Sequence, residues 1–240
     1  MKTITSEQVL FYRKNGYLIV EDVIPYPLLD EALETFRRHA RAEGDTEDKS
    51  IMNMDRHPGG ESIRAIQVHP NMAAILENLY NRFNGIVAVQ SMFLFKSAGT
   101  PYGNQAWNPH QDDSYVGMPW GTYFTGNIAF ANQDVENGCM YIYPKSHFEN
   151  ILEFEPTPSF HENQAKNPGN RILKVPEKYR KIDLFLKKGS CLILHGNVIH
   201  GSYPNISKSR GRPMLLLPYI IDGVPFPRGN NANRMRIPLR

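Results

Sequence analysis

The chain has 240 residues, of which 41% are hydrophobic, and a formal net charge of +3. That length and content suit one sizeable core, a β-sandwich or barrel with helical additions, and argue against two domains. The basic residues are dispersed, which argues against nucleic acid as a partner and leaves a small, polar or anionic molecule as the expected substrate.

Taken in order, Thr5-Ser6-Glu7-Gln8 reads as a capping box that opens a short helix to about Lys14, and Asn15-Gly16 ends it. Tyr17-Leu18-Ile19-Val20 is a compact strand. Over 28–42 the apolar positions Leu29, Ala32, Leu33 and Phe36 recur at helical spacing, with Pro27 suited to the first turn and Gly44 as the stop. Residues 44–50 read as a loop, 51–54 as entry into a sheet, and 56–60 as a turn. Asn71 is the expected cap of a third helix with Met72, Ile75, Leu76 and Leu79 on one face, closed by Asn84-Gly85.

Beyond Gly85 the texture changes to short runs rich in β-branched and aromatic residues, at 86–95, 122–131, 140–143, 182–186, 191–194 and 214–221. Helices followed by many antiparallel strands predict an α+β, mainly β fold. The expectation is a jelly-roll double-sheet barrel over 86–222, a helical layer over 5–85 packed on one sheet, and a tail over 223–240. The proline-rich stretch 156–176 reads as a long excursion, and the arginine-rich tail as a solvated end or, in the alternative, a lid that meets an anion. Cys139 and Cys191 sit in apolar strand-like runs and read as buried free thiols. With no apolar signal segment at the start and no apolar run near eighteen residues, the expected location is the cytoplasm, with no membrane partner. Composition sets no oligomeric state.

The chemistry centres on Trp107-Asn108-Pro109-His110-Gln111-Asp112-Asp113. On an extended segment His110 and Asp112 leave the same side of the strand and can grip one ion together. A second imidazole would complete a triad of two histidines and one carboxylate, which leaves open positions on the metal. His195 and His200 compete for that place, because five residues cannot bring both to one ion. His57, His69, His147 and His161 have no carboxylate at ligand spacing and read as loop or turn histidines.

These features resemble the phytanoyl-CoA dioxygenase-like family of Fe(II)- and 2-oxoglutarate-dependent oxygenases. The resemblance runs from Asn15-Gly16-Tyr17-Leu18-Ile19-Val20 through the His110 motif and Glu136-Asn137-Gly138-Cys139 to Tyr143-Pro144-Lys145-Ser146-His147, with Lys145 where the family usually has glycine. It ends at His200-Gly201-Ser202, which favours His200 as the third ligand. The double-stranded β-helix, also called a jelly-roll or cupin-like barrel, is the fold that such proteins imply. The resemblance implies Fe(2+) at His110, Asp112 and His200, with 2-oxoglutarate and O2 as cosubstrates. An arginine about eleven residues past the last histidine is implied to hold the distal carboxylate. That position is Gly211, flanked by Arg210 and by Arg212, and the strand beginning at Pro213 favours Arg212. Ser202, Met92 and Asn127 fall at cosubstrate positions, Asn127 where an aromatic is usual, and Gln105, Trp107 and Asp113 are candidates to face substrate. The implied reaction hydroxylates an unactivated carbon and releases succinate and CO2. Related halogenases replace the ligand carboxylate with a small residue, which Asp112 does not match. A peptide or protein hydroxylase and a non-catalytic jelly-roll binder are the rival readings.

Overall fold

The computed structural model describes residues 1–42, 51–53, 60–157, 169–226 and 234–240. The expected loop at 44–50, the turn at 56–59, the middle of the 156–176 excursion, His57, His161 and Arg228 lie outside the described residues.

Helix α1 (Ser6–Asn15) opens on the capping box. The Thr5 hydroxyl accepts from the Gln8 N–H at 3.2 Å, and the Gln8 side chain accepts from the Thr5 N–H at 2.9 Å. Gly16, at φ 80°, closes it in the left-handed region, where a side chain would be driven into the His147 ring. Strand β1 (Tyr17–Val20) follows, then α2 (Tyr26–Ala42), whose Leu29, Ala32 and Phe36 are buried, and β2 (Ile51–Asn53). Helix α3 (Glu61–Gln67) was not expected, since its short apolar repeat offers only Ile63 and Ile66 to the core.

Helix α4 (Pro70–Tyr80) is capped by His69 rather than Asn71: the His69 Nδ1 accepts from the Asn71 N–H at 3.2 Å. The Asn71 amide instead donates to the Val23 carbonyl at 2.8 Å, tying the helix to the β1–α2 connection. The helix ends at Asn81, left-handed at φ 51°, before the expected Asn84-Gly85 stop.

The remaining strands are β3 (Ile86–Ala88), β4 (Met92–Lys96), β5 (Trp107–His110), β6 (Tyr123–Ala129), β7 (Met140–Ile142), β8 (Phe154–Thr157), β9 (Gly169–Ile172), β10 (Ile182–Leu184), β11 (Cys191–His195), β12 (His200–Ser202), β13 (Arg212–Ile221) and β14 (Ile237–Pro238). The larger sheet runs β1-β11-β6-β13-β3-β14, with β4 also on β13 and β2 on β4; the smaller runs β10-β7-β12-β5. Among the described residues the two sheets are joined by no ladder hydrogen bonds, and they face each other as the two layers of a jelly roll.

Strand alternation divides the larger sheet's side chains between two cores. Cys191, Ile193, Leu215, Leu217, Tyr219, Phe124 and Phe93 pack with Leu29, Phe36, Met72 and Leu76 of the helices. Leu192, Leu194, Met214 and Ala129 turn the other way and meet Met140, Ile142 and Leu184 of the smaller sheet. Both cysteines are free and buried.

Three expectations are corrected. The run 86–95 is two strands, β3 and β4, which pair with opposite ends of β13. The break falls opposite Pro218, which has no N–H for a ladder, and its carbonyl accepts from Val89 at 3.0 Å. The 156–176 excursion is flanked by a hairpin of β8 and β9. The tail is not a solvated end: β14 adds to β3, Leu239 is buried, and Arg236 and Arg240 pair with Asp222 and Glu77.

Lys145 sits at φ 72°, and its N–H donates to the Asn15 carbonyl at 3.0 Å, so the turn keeps a glycine-type backbone without glycine. Left-handed backbone costs a non-glycine residue about 1–2 kcal/mol, while glycine gives back part of this in unfolded-state entropy. Lys145→Gly is therefore expected to leave stability unchanged or raise it by up to about 1 kcal/mol, read by denaturant unfolding.

Candidate metal centre

Strands β12 and β5 pair antiparallel with His200 opposite His110, and both side chains are buried. Strand β5 ends at His110, but Gln111 stays extended at φ −115°, ψ 128° before a 3-10 turn at Asp112–Tyr115. One further extended residue is enough to return Asp112 to the face of His110, so the two-residue spacing holds although the strand stops. The His110 Nε2 lies 3.6 Å and the His200 Nε2 3.5 Å from the Asp112 Oδ1. The three donor atoms all lie within 4.8 Å of one another, a spacing at which one metal ion can bind all three.

The other ring nitrogens are engaged by backbone. His110 Nδ1 bonds the Asn108 carbonyl at 2.7 Å and His200 Nδ1 the Val198 carbonyl at 3.0 Å. A carbonyl only accepts, so each Nδ1 carries a hydrogen and each Nε2 is the nitrogen turned towards Asp112. The Thr125 hydroxyl donates to the Asp112 Oδ2 at 3.1 Å and orients the carboxylate. Burial lifts the Asp112 pKa, but His200, His110 and Thr125 together outweigh it, and the carboxyl stands below its usual range. Burial pushes His200 down to about 4 against the pull of Asp112. A neutral imidazole beside an ionised carboxylate is the protonation pattern that metal ligands require. Gly201 fits between its neighbours only because it lacks a side chain, since a Cβ would strike the Tyr141 hydroxyl and the Trp107 carbonyl.

His195 lies elsewhere. Its Nδ1 accepts from the Asn197 N–H at 3.1 Å, and its ring packs 4.9 Å from Trp120 and 5.2 Å from His147. Burial and the His147 neighbour push it down to about 3. His69 caps a helix and His147 bonds the Arg13 carbonyl, in keeping with turn roles.

The two arginines separate cleanly. Arg210 is an exposed side chain paired with Asp134 and Glu136. Arg212 is 1% exposed and donates through Nε to the Gly138 carbonyl at 3.1 Å. Its terminal nitrogens face weak partners, the Met214 sulfur at 3.7 Å and the Ser202 hydroxyl at 3.5 Å. Burial pushes this guanidinium down to about 10.

Asn127 is fully buried on the inward face of β6. Its amide donates to the Thr125 hydroxyl and the Leu192 carbonyl, while its Oδ1 has no partner among the described residues. Met92 opposes Leu216 and is half-buried. Trp107 stands with its ring 6.1 Å from that of His110, and the buried Gln105 Oε1 has no partner among the described residues. Asp113 is turned to its own loop, its carboxylate accepting from the Met118 N–H at 2.8 Å. Thr125 and Lys96 escaped the sequence reading. Lys96 ends an apolar strand in phase with the inward positions Met92 and Leu94, and that phase was the available signal.

Comparison with known proteins agrees with this architecture. A phytanoyl-CoA dioxygenase from Arabidopsis thaliana is 26% identical over 163 residues, 63% of this chain and 51% of that protein. A phytanoyl-CoA dioxygenase domain-containing protein 1 from Bos taurus is 32% identical over 127 residues, 50% of this chain and 40% of that protein. The chain thus spans about half the length of the curated relatives it matches. The non-haem α-ketoglutarate-dependent carbocyclase SnoK from nogalamycin biosynthesis superposes with a TM-score of 0.72 at 20% identity, over 95% of this chain and 88% of that one. HygX from Streptomyces hygroscopicus, solved with nickel and 2-oxoglutarate, gives 0.67 at 14% identity, over 92% and 89%. The family model for phytanoyl-CoA dioxygenase (PhyH) matches residues 12–214, and the chain belongs to that family.

Proposed function

We propose that this protein is an Fe(II)- and 2-oxoglutarate-dependent oxygenase that hydroxylates an unactivated carbon of a small, polar or anionic metabolite, releasing succinate and CO2. The observation that carries the reading is the buried set His110, Asp112 and His200 in the same interior as a buried arginine whose fork ends lack strong acceptors. Family membership supports it, as do the metal and 2-oxoglutarate in HygX and the Fe3+, α-ketoglutarate and nogalamycin RO in the epimerase SnoN.

In this reading His110, Asp112 and His200 hold Fe(II). Iron at that place supplies the redox chemistry that couples oxidative decarboxylation of 2-oxoglutarate to oxidation of a substrate C–H bond. The chain's own share is orientation and exclusion of water. The Asn108 and Val198 carbonyls keep both imidazoles in the ligating tautomer, and Thr125 keeps Asp112 from swinging. Arg212 offers two parallel donors to the distal carboxylate of 2-oxoglutarate, with Ser202 adding a hydroxyl, while the Gly138 carbonyl fixes the plane of the fork. Met92 would supply apolar wall, and Asn127, whose NH2 is taken by Thr125 and Leu192, would offer its Oδ1 to a hydrogen-bond donor. Trp107, whose ring lies 6.1 Å from that of His110, and Gln105 would face substrate in this reading. Asp113 we assign to the loop rather than to substrate, because Met118 occupies its carboxylate.

Removing any one ligand removes one of three bonds to the ion. Alanine at His110, Asp112 or His200 is expected to abolish stoichiometric Ni(II) or Co(II) binding by calorimetry, whereas His195→Ala binds metal like the parent. Metal loss in His195→Ala with His200→Ala unaffected would reverse the assignment. A charge-assisted bidentate contact in a desolvated pocket contributes a few kcal/mol, so Arg212→Ala is expected to weaken 2-oxoglutarate binding by roughly a hundredfold with metal binding intact. Arg210→Ala, altering only the exposed pairing with Asp134 and Glu136, leaves it unchanged. Anaerobic titration of the metal-to-cosubstrate charge-transfer absorbance reads both variants. Iron-dependent succinate release tests the reading as a whole and separates it from a binding protein, which would release none.

A further inference from the structure

Three segments far apart in the sequence meet around the buried ring of His147. They are the last turn of α1, the turn over 143–148, and the loop that leaves the Asp112–Tyr115 turn. The Lys145 N–H donates to the Asn15 carbonyl at 3.0 Å, and the His147 Nε2 bonds the Arg13 carbonyl at 3.1 Å. The Trp120 indole N–H donates to the His147 carbonyl at 2.8 Å, and the Phe148 ring lies 4.1 Å from that of His147. Phe11 stands one helical turn before Asn15, its carbonyl accepting from the Asn15 amide at 2.9 Å.

The side chains set around this hub face water. Trp120 is 55% exposed, Phe148 62% and Phe11 41%, and Arg13, Lys14 and Lys145 are exposed beside them. Large apolar side chains gathered on a surface mark a contact region. Elsewhere an exposed ring is covered by a cation, Lys188 over Tyr26 and Arg240 over Phe83. Among the described residues no cation covers Trp120, Phe148 or Phe11, and neither Arg13, Lys14 nor Lys145 pairs with a carboxylate. Of the nearby acids, Glu7 lies in the first turn of α1, at the far end from its basic last turn, and Glu149 is held by Lys178 and Tyr179.

The chemistry of the patch selects its partner. Protein interfaces deplete lysine, because a strongly hydrated ammonium resists losing its water, and two of these three cations are lysines. Among lipid headgroups an ammonium stays hydrated while aromatic rings enter shallowly beside it. The Trp120 N–H is already met by the His147 carbonyl, so its ring can leave water without orphaning a donor. The net charge of +3 favours an anionic surface. No helix of the described residues is long and apolar enough to cross a membrane, and a contact of this kind needs none.

We propose that this face docks the protein on an anionic bilayer, with Trp120, Phe148 and Phe11 at the headgroup boundary and Arg13, Lys14 and Lys145 against the lipid anions. The inference is independent of the oxygenase reading. It departs from the expectation of no membrane partner, which considered only segments that span.

The test uses the full chain with vesicles of phosphatidylcholine alone, and of phosphatidylcholine with phosphatidylserine at about two to one. Cosedimentation is expected with the mixed vesicles and not with phosphatidylcholine, and it is expected to weaken as salt rises. The double variant Lys14→Gln, Lys145→Gln is expected to bind the mixed vesicles roughly twentyfold more weakly, about fivefold per cation, with the parent's melting temperature. The chain has two tryptophans, Trp107 and Trp120. When the phosphatidylcholine of the mixed vesicles is brominated on its acyl chains, the parent's fluorescence is expected to be quenched. That of Trp120→Phe, which reports Trp107 alone, is expected to be unchanged. A parent that does not sediment with the anionic vesicles, as for a face built to take an acidic protein, would overturn the proposal. Equal binding to phosphatidylcholine alone, undiminished binding by the double variant, or an unquenched parent would each do the same, and all four leave the metal centre untouched.

Discussion

The antiparallel pairing of β12 with β5 sets His200 opposite His110, and the rest of the candidate centre depends on that register. Side-chain direction in a strand has period two, so a slip of one residue would send one imidazole to the outer face. Several features resist such a slip. Strand β12 is also held by β7 on its other edge, with His200 opposite Ile142 and Ser202 opposite Met140. Gly201 lets the Tyr141 hydroxyl pass over β12 and donate to the Trp107 carbonyl at 3.0 Å, so one phenol spans three strands. A bulge between His200 and Ser202 absorbs the mismatch with β5 and leaves the histidine pair in register.

The larger sheet performs a different task. Its odd and even positions serve two cores, one against the helices and one facing the smaller sheet. The core against the helices is close-packed from aliphatic and aromatic side chains, with the Tyr219 hydroxyl met by the Gln67 carbonyl. The inward face is mixed, with Thr125, Asn127, Lys96 and Arg212 set among Leu192, Leu194 and Met214. Burying such polar groups lowers stability unless each finds a partner. Here several are met by main-chain carbonyls and by each other, while the Arg212 fork ends and the Asn127 Oδ1 are left with weak partners or none. Those unmet atoms fit the polar cosubstrate proposed for this interior.

Much of this was legible in the residues. The capping box at Thr5, the β1 strand, the amphipathic α2 and the His110-x-Asp112 spacing follow from local rules of capping and periodicity, and the structure has all four. Choosing His200 over His195, or Arg212 over Arg210, needed the pattern of a family, because in each pair the same residue type recurs within five positions. The structure separates them by burial and partner: His195 packs on Trp120, and Arg210 lies outside against acids. Short elements escaped because tertiary contacts make them. Helix α3 has two core residues, and β14 exists only because Ile237 finds the free edge of β3. The division of 86–95 depended on Pro218, more than a hundred residues away in sequence, which no local window contains.

The central claim is that one interior holds a metal at His110, Asp112 and His200 and an α-keto acid between that metal and Arg212. A crystal structure of the protein prepared anaerobically with Fe(II) and 2-oxoglutarate tests this most directly. The account predicts a single ion bonded to both Nε2 atoms and to the Asp112 carboxylate, chelated by the keto-acid end, with the distal carboxylate on the Arg212 fork. An ion bound away from those three side chains, or a distal carboxylate turned away from Arg212, would contradict it.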